Sequence, residues 1–453
     1  MPPQLATYQV KSNQCKKTLS ILLYISQQIA AIAVSDVLSG RNLTLALPEA
    51  LSSYPNATPQ QRGAAADLSY GTLRFYGEVN AYLEKLLEKP LSNAHITALL
   101  LVAIYQLLHD KADDFTVVNQ AVKAAGDAKP RWAKSLVNGV LRNFLRQKEA
   151  FAEQIKADLK INEVALYSYP QWWIKKLKSQ YPQHWQSILA IGNAHPPMTL
   201  RVNAQKSNAP EYCQLLARQN IEATHLGAEA VMLTKPISVE QVPGFADGVV
   251  SVQDYGAQLA AHLLDLKKGQ RVLDACAAPG GKTGHILELK NVILTALDND
   301  AARLNRVESN LNRLDLSANL QLGDAASFKA DKLFDRILAD VPCTASGIVR
   351  RHVDIKWLRR ERDIATFTQQ QSAILQHLWL LLAKGGKLLY VTCSVFNGEN
   401  QQQIDWFLKN TQDSTQLPLL LNNGLEKNIQ HQQGQLLPNI NHDGLFYALL
   451  QKN

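Results

Sequence analysis

Cysteine is scarce in this sequence, and the few cysteines form no recognisable cross-linking or metal-binding pattern. There are 5 among 453 residues, an odd number without a C-x-x-C pair. They are Cys15, Cys213, Cys276, Cys343 and Cys393. Disulfide scaffolds and cysteine-based zinc sites both need closely spaced pairs. The sequence therefore predicts no disulfide framework and no metal site, and it indicates the reducing cytoplasm.

The sequence also lacks an apolar run long enough for a membrane span. Ser20–Ile25 is apolar, follows Lys16 and Lys17 and precedes small residues, so that it superficially copies a signal peptide. The polar residues 26–28 interrupt the run, which stays far below the roughly 20 residues that cross a bilayer. We predict an amphipathic first helix, preceded by a disordered lead-in over residues 1–19, and no membrane partner.

The overall composition is that of a globular protein with a basic surface. Apolar residues make up 46% of the chain and charged residues 19%, and the length suffices for two or three domains. The net charge of +8 suggests a polyanionic partner.

One β-α-β unit, Arg271–Asp298, organises the second half of the chain. An apolar strand ends at Asp274, a turn of small residues follows at 277–281, and a helical pattern leads to a second apolar strand that ends at Asp298. Glycines allow close approach of a ligand, and a strand-end acid can hold a ribose diol. This pattern predicts a nucleoside-type cofactor at the carboxyl ends of the strands.

Two common nucleotide-binding fingerprints do not fit this unit. The dinucleotide pattern G-x-G-x-x-G is absent, and the phosphate loop G-x-x-x-x-G-K-[ST] misses by one residue, because Cys276 stands where its first glycine belongs. Pro279 also removes a backbone donor that a phosphate would need. S-adenosylmethionine has a ribose and an adenine but no phosphate, and it fits better.

Further predicted strands end in acids or cysteines. Asp324 and Asp340 follow two later strands, while Cys343 and Cys393 follow strand ends 50 residues apart. One acid after a strand is usually a helix cap, and one cysteine is usually an inert buried thiol. A series of them along one edge of a parallel sheet predicts a ligand site with a thiolate nucleophile. A methyl donor beside a thiolate suits methylation of a pyrimidine at C5, which first needs a nucleophile at C6.

Six short motifs resemble those of the RNA (cytosine-C5) methyltransferases, namely CAAPGGKT, LDND, GD, ADVPCTASG, RRHVDIKW and YVTCS. Two segments near the start of the chain resemble the NusB-type RNA-binding domain, namely DLSYGTLRFYGEVNAYL and LVNGVLRNFLRQ. The resemblance implies an all-α NusB-like domain at 20–155, a small α+β connecting domain at 156–245 and an α/β Rossmann-like methyltransferase domain at 246–453.

The resemblance also implies roles for individual residues. Cys393 matches the nucleophile that adds to C6, Cys343 the cysteine that helps to release the product, and Asp340 an acid that pairs with the N3/N4 edge of the base. Whether Lys282 lies near the cofactor or near the base stays open. The residues expected to bind S-adenosylmethionine are Cys276, Ala277, Ala278, Pro279, Gly280, Gly281, Lys282, Asp298, Asp324 and Asp340.

A basic segment, 350–362, follows the Cys343 loop. Charge runs are usually solvated, but next to a catalytic edge and with Trp357 inside it this one is predicted to contact RNA phosphates. Nearby, Gly398 stands where the family commonly has a glutamate, which leaves only Glu399 to hold the loop after Cys393.

These observations predict a monomeric S-adenosylmethionine-dependent cytosine-C5 methyltransferase acting on 16S ribosomal RNA. A related enzyme acting on transfer RNA is one alternative. Others are an RNA-binding assembly factor without catalysis, which would have no use for both thiols, and a phosphate-loop nucleotidase, which Cys276 disfavours.

Overall fold

The computed structural model of the chain describes residues 12–127, 132–159, 162–421 and 433–453. Contacts divide the chain into two units, one ending at Lys175 and including His352–Arg359, the other comprising Lys176–Arg351 and Arg360–Asn453. Within the described residues, every helix is too short or too polar to cross a lipid bilayer.

The described helices are α1 (Ser12–Leu38), α2 (Leu43–Ser52), α3 (Pro59–Arg74), α4 (Tyr76–Leu86), α5 (Ala94–Leu108), α6 (Asp114–Asp127), α7 (Ala133–Leu159), α8 (Glu163–Tyr167), α9 (Gln171–Gln180), α10 (Trp185–Gly192), α11 (Ala209–Arg218), α12 (Tyr255–Leu263), α13 (Gly281–Leu289), α14 (Ala301–Leu314), α15 (Ile355–Leu358), α16 (Glu361–Leu380) and α17 (Gln401–Asn410). The described strands are β1 (Met198–Val202), β2 (Ala223–Gly227), β3 (Ala230–Leu233), β4 (Val250–Val252), β5 (Arg271–Ala275), β6 (Ile293–Asp298), β7 (Asn319–Leu322), β8 (Phe334–Asp340), β9 (Leu382–Thr392), β10 (Ser414–Leu417), β11 (Gln435–Leu436) and β12 (Leu445–Lys452).

The first unit is helical and is built around α5. Asn93 caps this helix by accepting a 3.0 Å hydrogen bond from the Ile96 backbone N–H. Residues 98–107 of α5 are all buried, as expected for a helix that is surrounded by others. The first helix, α1, begins at Ser12, inside the segment predicted as a disordered lead-in, and residues 1–11 lie outside the described residues.

The second unit contains two sheets. The smaller one is antiparallel in the order β2-β3-β1-β4, with α11 packed against β2 and β3. The larger one has eight strands, seven of them in the order β10-β12-β9-β8-β5-β6-β7, with β11 paired to β12. It is parallel from β9 to β7, whereas β12 runs antiparallel to both of its neighbours, β9 and β10. The strands β5 and β8 are buried almost throughout, which is typical of central parallel strands. The predicted fold class is confirmed.

The strand order of the larger sheet determines where a ligand can bind. The chain goes from β5 outward through β6 to β7 and then returns to β8 on the other side of β5. At such a reversal the connections leave in opposite directions, and a crevice opens beyond the carboxyl ends of the two strands. The residues after β5 and β8 therefore face a common opening.

The elements around this crevice follow the sequence pattern closely, with one exception. The residue pattern favours a helix over Ala301–Leu314 and a strand over Asn319–Leu322, and α14 and β7 have these bounds. Gly385 and Gly386 favour the end of the preceding helix in the sequence, but α16 ends earlier, at Leu380, and both glycines lie in β9. Pairing of Leu382 with Phe334 starts β9 early, and a register shift accommodates the glycines.

Candidate active site

A cavity of about 210 Å³ lies at the carboxyl ends of the parallel strands. The predicted site residues that line it are Cys276, Ala278, Asp298, Asp324, Asp340, Cys343 and Cys393. The other predicted residues, Ala277, Pro279, Gly280, Gly281 and Lys282, lie in the same loop and in the first turn of α13. The structure thus brings strand ends that are more than 100 residues apart in sequence to one opening.

The loop after β5 is held tightly against its neighbours. The backbone N–H groups of Cys276 and Ala277 both donate to the Leu297 carbonyl oxygen at 2.9 Å. Gly280 has φ +95°, and a Cβ there would lie 3.1 Å from the Cα of Val307 in α14. Only glycine combines this dihedral with this approach at low cost. The glycine therefore sets how closely the loop packs on α14.

Asp298 and Asp324 form an acidic edge of the cavity. The Oδ2 of Asp298 accepts a 3.0 Å hydrogen bond from the Ala278 N–H, and the Arg303 guanidinium lies 3.6 Å away. Asp324 is exposed, with its Oδ1 accepting from the Ala326 N–H at 2.9 Å. Two carboxylates at one edge disfavour a phosphate and favour a ligand that offers hydroxyl or ammonium donors.

Lys282 forms an ion pair with Asp340. Its Nζ lies 2.6 Å from the Asp340 Oδ2, and both side chains are largely buried. Burial lowers the pKa of Lys282, but the charge and hydrogen bond of Asp340, with a further contribution from Cys393, raise it above its usual range. The ammonium is therefore retained next to Asp340 and within electrostatic reach of Cys393.

The two cysteines that follow β8 and β9 are neighbours. Their sulfur atoms lie 3.3 Å apart, Cys343 being buried and Cys393 half-buried. The hydrogen bond to Cys393, together with burial, raises the pKa of the Cys343 thiol well above its usual range. Cys343 therefore stays protonated near neutral pH, and its S–H can donate to a thiolate on Cys393.

A buried carboxylate, Glu399, connects the two cysteine loops. It accepts hydrogen bonds from the backbone N–H of Thr344 at 2.7 Å and from the hydroxyls of Thr344 at 2.5 Å and Ser394 at 2.6 Å. Thr344 follows Cys343, and Ser394 follows Cys393. Burial raises the pKa of Glu399, although these hydrogen bonds oppose the rise. One side chain thus fixes the residue after each thiol.

The prediction that the whole basic segment 350–362 contacts phosphates is wrong for its first part. The buried Arg350 is paired with Asp443, and the Arg351 guanidinium bonds Asp443 and, at 3.1 Å, Asp254. Within the first unit, Lys356 is fully buried and donates to a backbone carbonyl oxygen at 2.7 Å. These cations already have partners in the protein, so they are not available to RNA.

Trp357 in the same segment also contacts residues of the first unit. Its Nε1–H donates to the carbonyl oxygen of Leu73 at 2.7 Å, and its ring meets Tyr76 edge to face. Arg360 and Arg362, in the second unit, are exposed. The prediction of phosphate contact is therefore restricted to this end of the segment.

Several residues that line the cavity were missed by the sequence analysis. They are Asn299 and Arg303 near β6, and Gln370 and Ile374 on α16. Asn299 stands next to Asp298, so its place at the cavity could have been predicted from the sequence. The α16 residues lie in an ordinary helix with no motif, and only the packing of α16 on the sheet reveals them.

Three family models match separate parts of the chain. Residues 261–451 match the family described as 16S rRNA methyltransferase RsmB/F, residues 169–240 match the ferredoxin-like domain of RsmF/B-like methyltransferases, and residues 24–146 match the NusB family.

Individual proteins resemble the chain over most of its length. A probable ribosomal RNA small subunit methyltransferase B of Coxiella burnetii is 42% identical over 89% of this chain and 95% of its own. The ribosomal RNA small subunit methyltransferase B of Pseudomonas syringae pv. tomato is 41% identical over 93% of this chain and 96% of its own.

A solved structure shares the fold of a large part of the chain. It belongs to a methyltransferase homolog protein from Pyrococcus horikoshii, which is 28% identical, with a TM-score of 0.55 over 64% of this chain and 97% of its own. With these identities and this coverage, the chain belongs to the ribosomal RNA small subunit methyltransferase B family, as its motifs predicted.

Proposed function

We propose that this chain transfers a methyl group from S-adenosylmethionine to C5 of a cytosine in 16S ribosomal RNA, through a covalent bond between Cys393 and C6 of the base. The observation that carries the proposal is the pair of thiols, 3.3 Å apart, on the same cavity as the acids of the strand ends. A methyltransferase that acts on a more reactive atom needs no thiol at this position.

The donor groups of the cavity fit S-adenosylmethionine. Asp298 is oriented by the Ala278 N–H and can accept from ribose hydroxyls, while Asp324 can accept from the adenine or ribose edge. The acidic edge suits a cationic ligand without phosphate and would repel a nucleoside triphosphate, which argues against a nucleotidase. When bound, this ligand supplies an electrophilic methyl group on a sulfonium.

The first chemical task of the protein is to make C5 nucleophilic. The Cys393 thiolate adds to C6, forming an S–C6 bond, and the electron pair of the C5–C6 double bond becomes available at C5. The Lys282 ammonium, whose pKa Cys393 helps to raise, can pair with the thiolate that adds to C6. The S–H of Cys343 stabilises the same charge by donating to the Cys393 sulfur.

The ion pair of Lys282 and Asp340 suits the polar edge of the base. Asp340 lines the cavity with the thiols and can accept from the N4 amino group, while Lys282 can donate towards N3 or O2. Donation by Lys282 withdraws electron density from C6, and the two contacts together hold the base in line with Cys393.

Product release requires loss of the proton on C5. As that proton leaves, the C5–H electron pair restores the C5–C6 double bond, and Cys393 departs as a thiolate. The C5 proton passes to water, and we assign to Cys343 the stabilisation of the departing Cys393 thiolate, to which its S–H can donate. Without Cys343 the adduct would persist.

The substrate assignment rests on the relatives. Two of them are named ribosomal RNA small subunit methyltransferase B, and the NusB match covers residues 24–146. The net charge of +8 suits an RNA partner. We further propose that the protein acts as a monomer in the cytoplasm, where its thiols stay reduced.

The test is transfer of labelled methyl groups from S-adenosylmethionine to unmodified 16S RNA and, separately, to unmodified transfer RNA. Wild type and Cys213→Ala, which removes a cysteine in α11, are expected to label 16S RNA at a cytosine, and Cys393→Ala is expected to label neither RNA. Labelling of transfer RNA alone would contradict the substrate, and full activity of Cys393→Ala would contradict the nucleophile.

A further inference from the structure

Three potential metal ligands meet away from the cavity, in the second unit. Glu229 lies in the turn between β2 and β3, His262 in α12 and His285 in α13. The Glu229 Oε2 lies 2.9 Å from the His262 Nε2 and 3.6 Å from the His285 Nε2. One ligand atom from each residue lies within 4.8 Å of the other two.

The ring nitrogens of His285 are buried without hydrogen-bond partners in the described part of the chain. Its side chain is fully buried, and neither ring nitrogen has a hydrogen-bond partner among the described residues. Whichever tautomer is present, one lone pair and one N–H are unsatisfied. Buried polar side-chain atoms are nearly always paired, so the position implies a bound group.

We propose that Glu229, His262 and His285 bind a Zn²⁺ ion. Two imidazole nitrogens and one carboxylate oxygen are a donor set that suits Zn²⁺, whereas Mg²⁺ and Ca²⁺ prefer oxygen ligands alone. Tetrahedral coordination at about 2.0–2.1 Å requires ligand atoms roughly 3.4 Å apart, and the two distances from the Glu229 oxygen, 2.9 and 3.6 Å, lie on either side of this value.

The surroundings allow a cation here. The nearby guanidinium of Arg201 is held by both carboxylate oxygens of Glu288, at 2.9 and 2.7 Å, so its charge is compensated. Glu229 and His262 keep 17% and 13% of their side chains exposed, which leaves an entry path and a water-accessible fourth position.

The position of the site indicates a structural role. The described residues that line the active-site cavity include none of the three ligands. The ion would instead join the β2–β3 turn to α12 and α13, and α13 is the helix that begins at the end of the loop after β5. Binding is therefore expected to stabilise the folded chain, because the ligands are brought together only when both sheets have formed.

The prediction of no metal site rested on cysteine spacing alone. The ligands of this site are 33 and 23 residues apart in sequence, on three separate elements. That spacing matches no short motif, so only the folded chain brings them together.

The test uses the full-length protein without an affinity tag, stripped with a chelator and titrated with Zn²⁺. We expect about one tightly bound ion per chain and a higher unfolding temperature in wild type and in His184→Gln, which removes an exposed histidine of the same unit. His262→Ala, and separately Glu229→Gln, are expected to lose both effects.

Zinc can also bind thiols, so the titration is repeated with Cys393→Ala and with Co²⁺ as a coloured substitute. The proposal predicts that Cys393→Ala retains its ion and that the Co²⁺ spectrum lacks a thiolate charge-transfer band. Absence of stoichiometric zinc in wild type, equal zinc in His262→Ala and Glu229→Gln, or loss of zinc in Cys393→Ala would each overturn the proposal.

Discussion

The sulfur atoms of Cys343 and Cys393 lie 3.3 Å apart, although 50 residues separate them in the chain. Neighbouring parallel strands bring them together, since β8 and β9 pair in register up to Asp340 and Val391 and each cysteine follows its strand end. The close approach is thus a property of the sheet, and it has consequences for both reactivity and catalysis.

The first consequence is sensitivity to oxidation. A diazene oxidant such as diamide, which takes two thiol protons and two electrons, should join these sulfurs in a disulfide and abolish methyl transfer, because the nucleophile is consumed. Peptide mapping should find the Cys343–Cys393 link, and a reductant should restore activity. Cys213→Ala should behave like wild type, and an activity that survives complete formation of the disulfide would contradict the role of Cys393.

Glu399 is expected to matter through the two loops that it holds. In Glu399→Gln, a neutral amide replaces the acceptor of hydrogen bonds from Thr344 and Ser394, at a cost in unfolding free energy of about 1.5–3 kcal/mol. Displacement of the thiols should lower kcat roughly 10–100-fold with little change in affinity for RNA.

The matched control for this variant is Glu361→Gln. Glu361 has 61% of its side chain exposed and makes only a surface ion pair, so its loss should change stability and kcat little. Measurements of kcat, RNA affinity and chemical unfolding on both variants test the role of Glu399. A wild-type kcat in Glu399→Gln would show that the carboxylate does not position the thiols.

Asp274 is expected to make stability depend on pH. Burial raises the pKa of this carboxyl group from 3.8 to about 7, partly opposed by the hydrogen bond from Thr283. The folded state therefore holds a proton that the unfolded state has lost, and this contribution to stability disappears as the pH rises from about 4 to 7, by about 4 kcal/mol at most.

Asp274→Asn removes this titration. The difference in unfolding temperature between pH 5.5 and pH 8 should be smaller in Asp274→Asn than in wild type, while the exposed control Asp331→Asn should match wild type. An unchanged difference in Asp274→Asn would mean that the group titrates alike in both states.

The basic segment gives a prediction about RNA binding. Replacing the exposed Arg360 and Arg362 by glutamine should reduce the slope of log K against log salt by about 1–2, since each lost phosphate contact accounts for about 0.7–0.9. Lys356→Met should leave the slope unchanged, because Lys356 is buried in the first unit. A reduced slope in Lys356→Met alone would contradict this assignment.

The sequence predicted which strand ends meet at the cavity, and it did so for a physical reason. The small-residue loop and the acids that follow β6, β7 and β8 are local patterns, and the parallel topology implied by β-α repetition brings their ends to one edge. The residues from Cys276 to Asp340 that were expected there do meet at the cavity or in the loop beside it.

The predictions that were wrong or incomplete concern residues whose contacts lie far away in the chain. In the sequence Arg350 has no oppositely charged residue beside it, but in the folded chain it pairs with Asp443, which lies 93 residues later. The Gln370 side chain reaches the cavity only through the packing of α16. A charge or an amide in a sequence does not reveal which distant group will compensate it.

The central claim is that Cys393 bonds covalently to the base and that Cys343 is needed to break this bond. The most direct measurement is denaturing electrophoresis and mass spectrometry of Cys343→Ala after reaction with 16S RNA and S-adenosylmethionine. The mechanism predicts a stable protein–RNA adduct linked through Cys393 to a methylated cytosine, and no adduct in the double variant that also carries Cys393→Ala. Normal turnover by Cys343→Ala without an adduct, or an adduct through another residue, would contradict it.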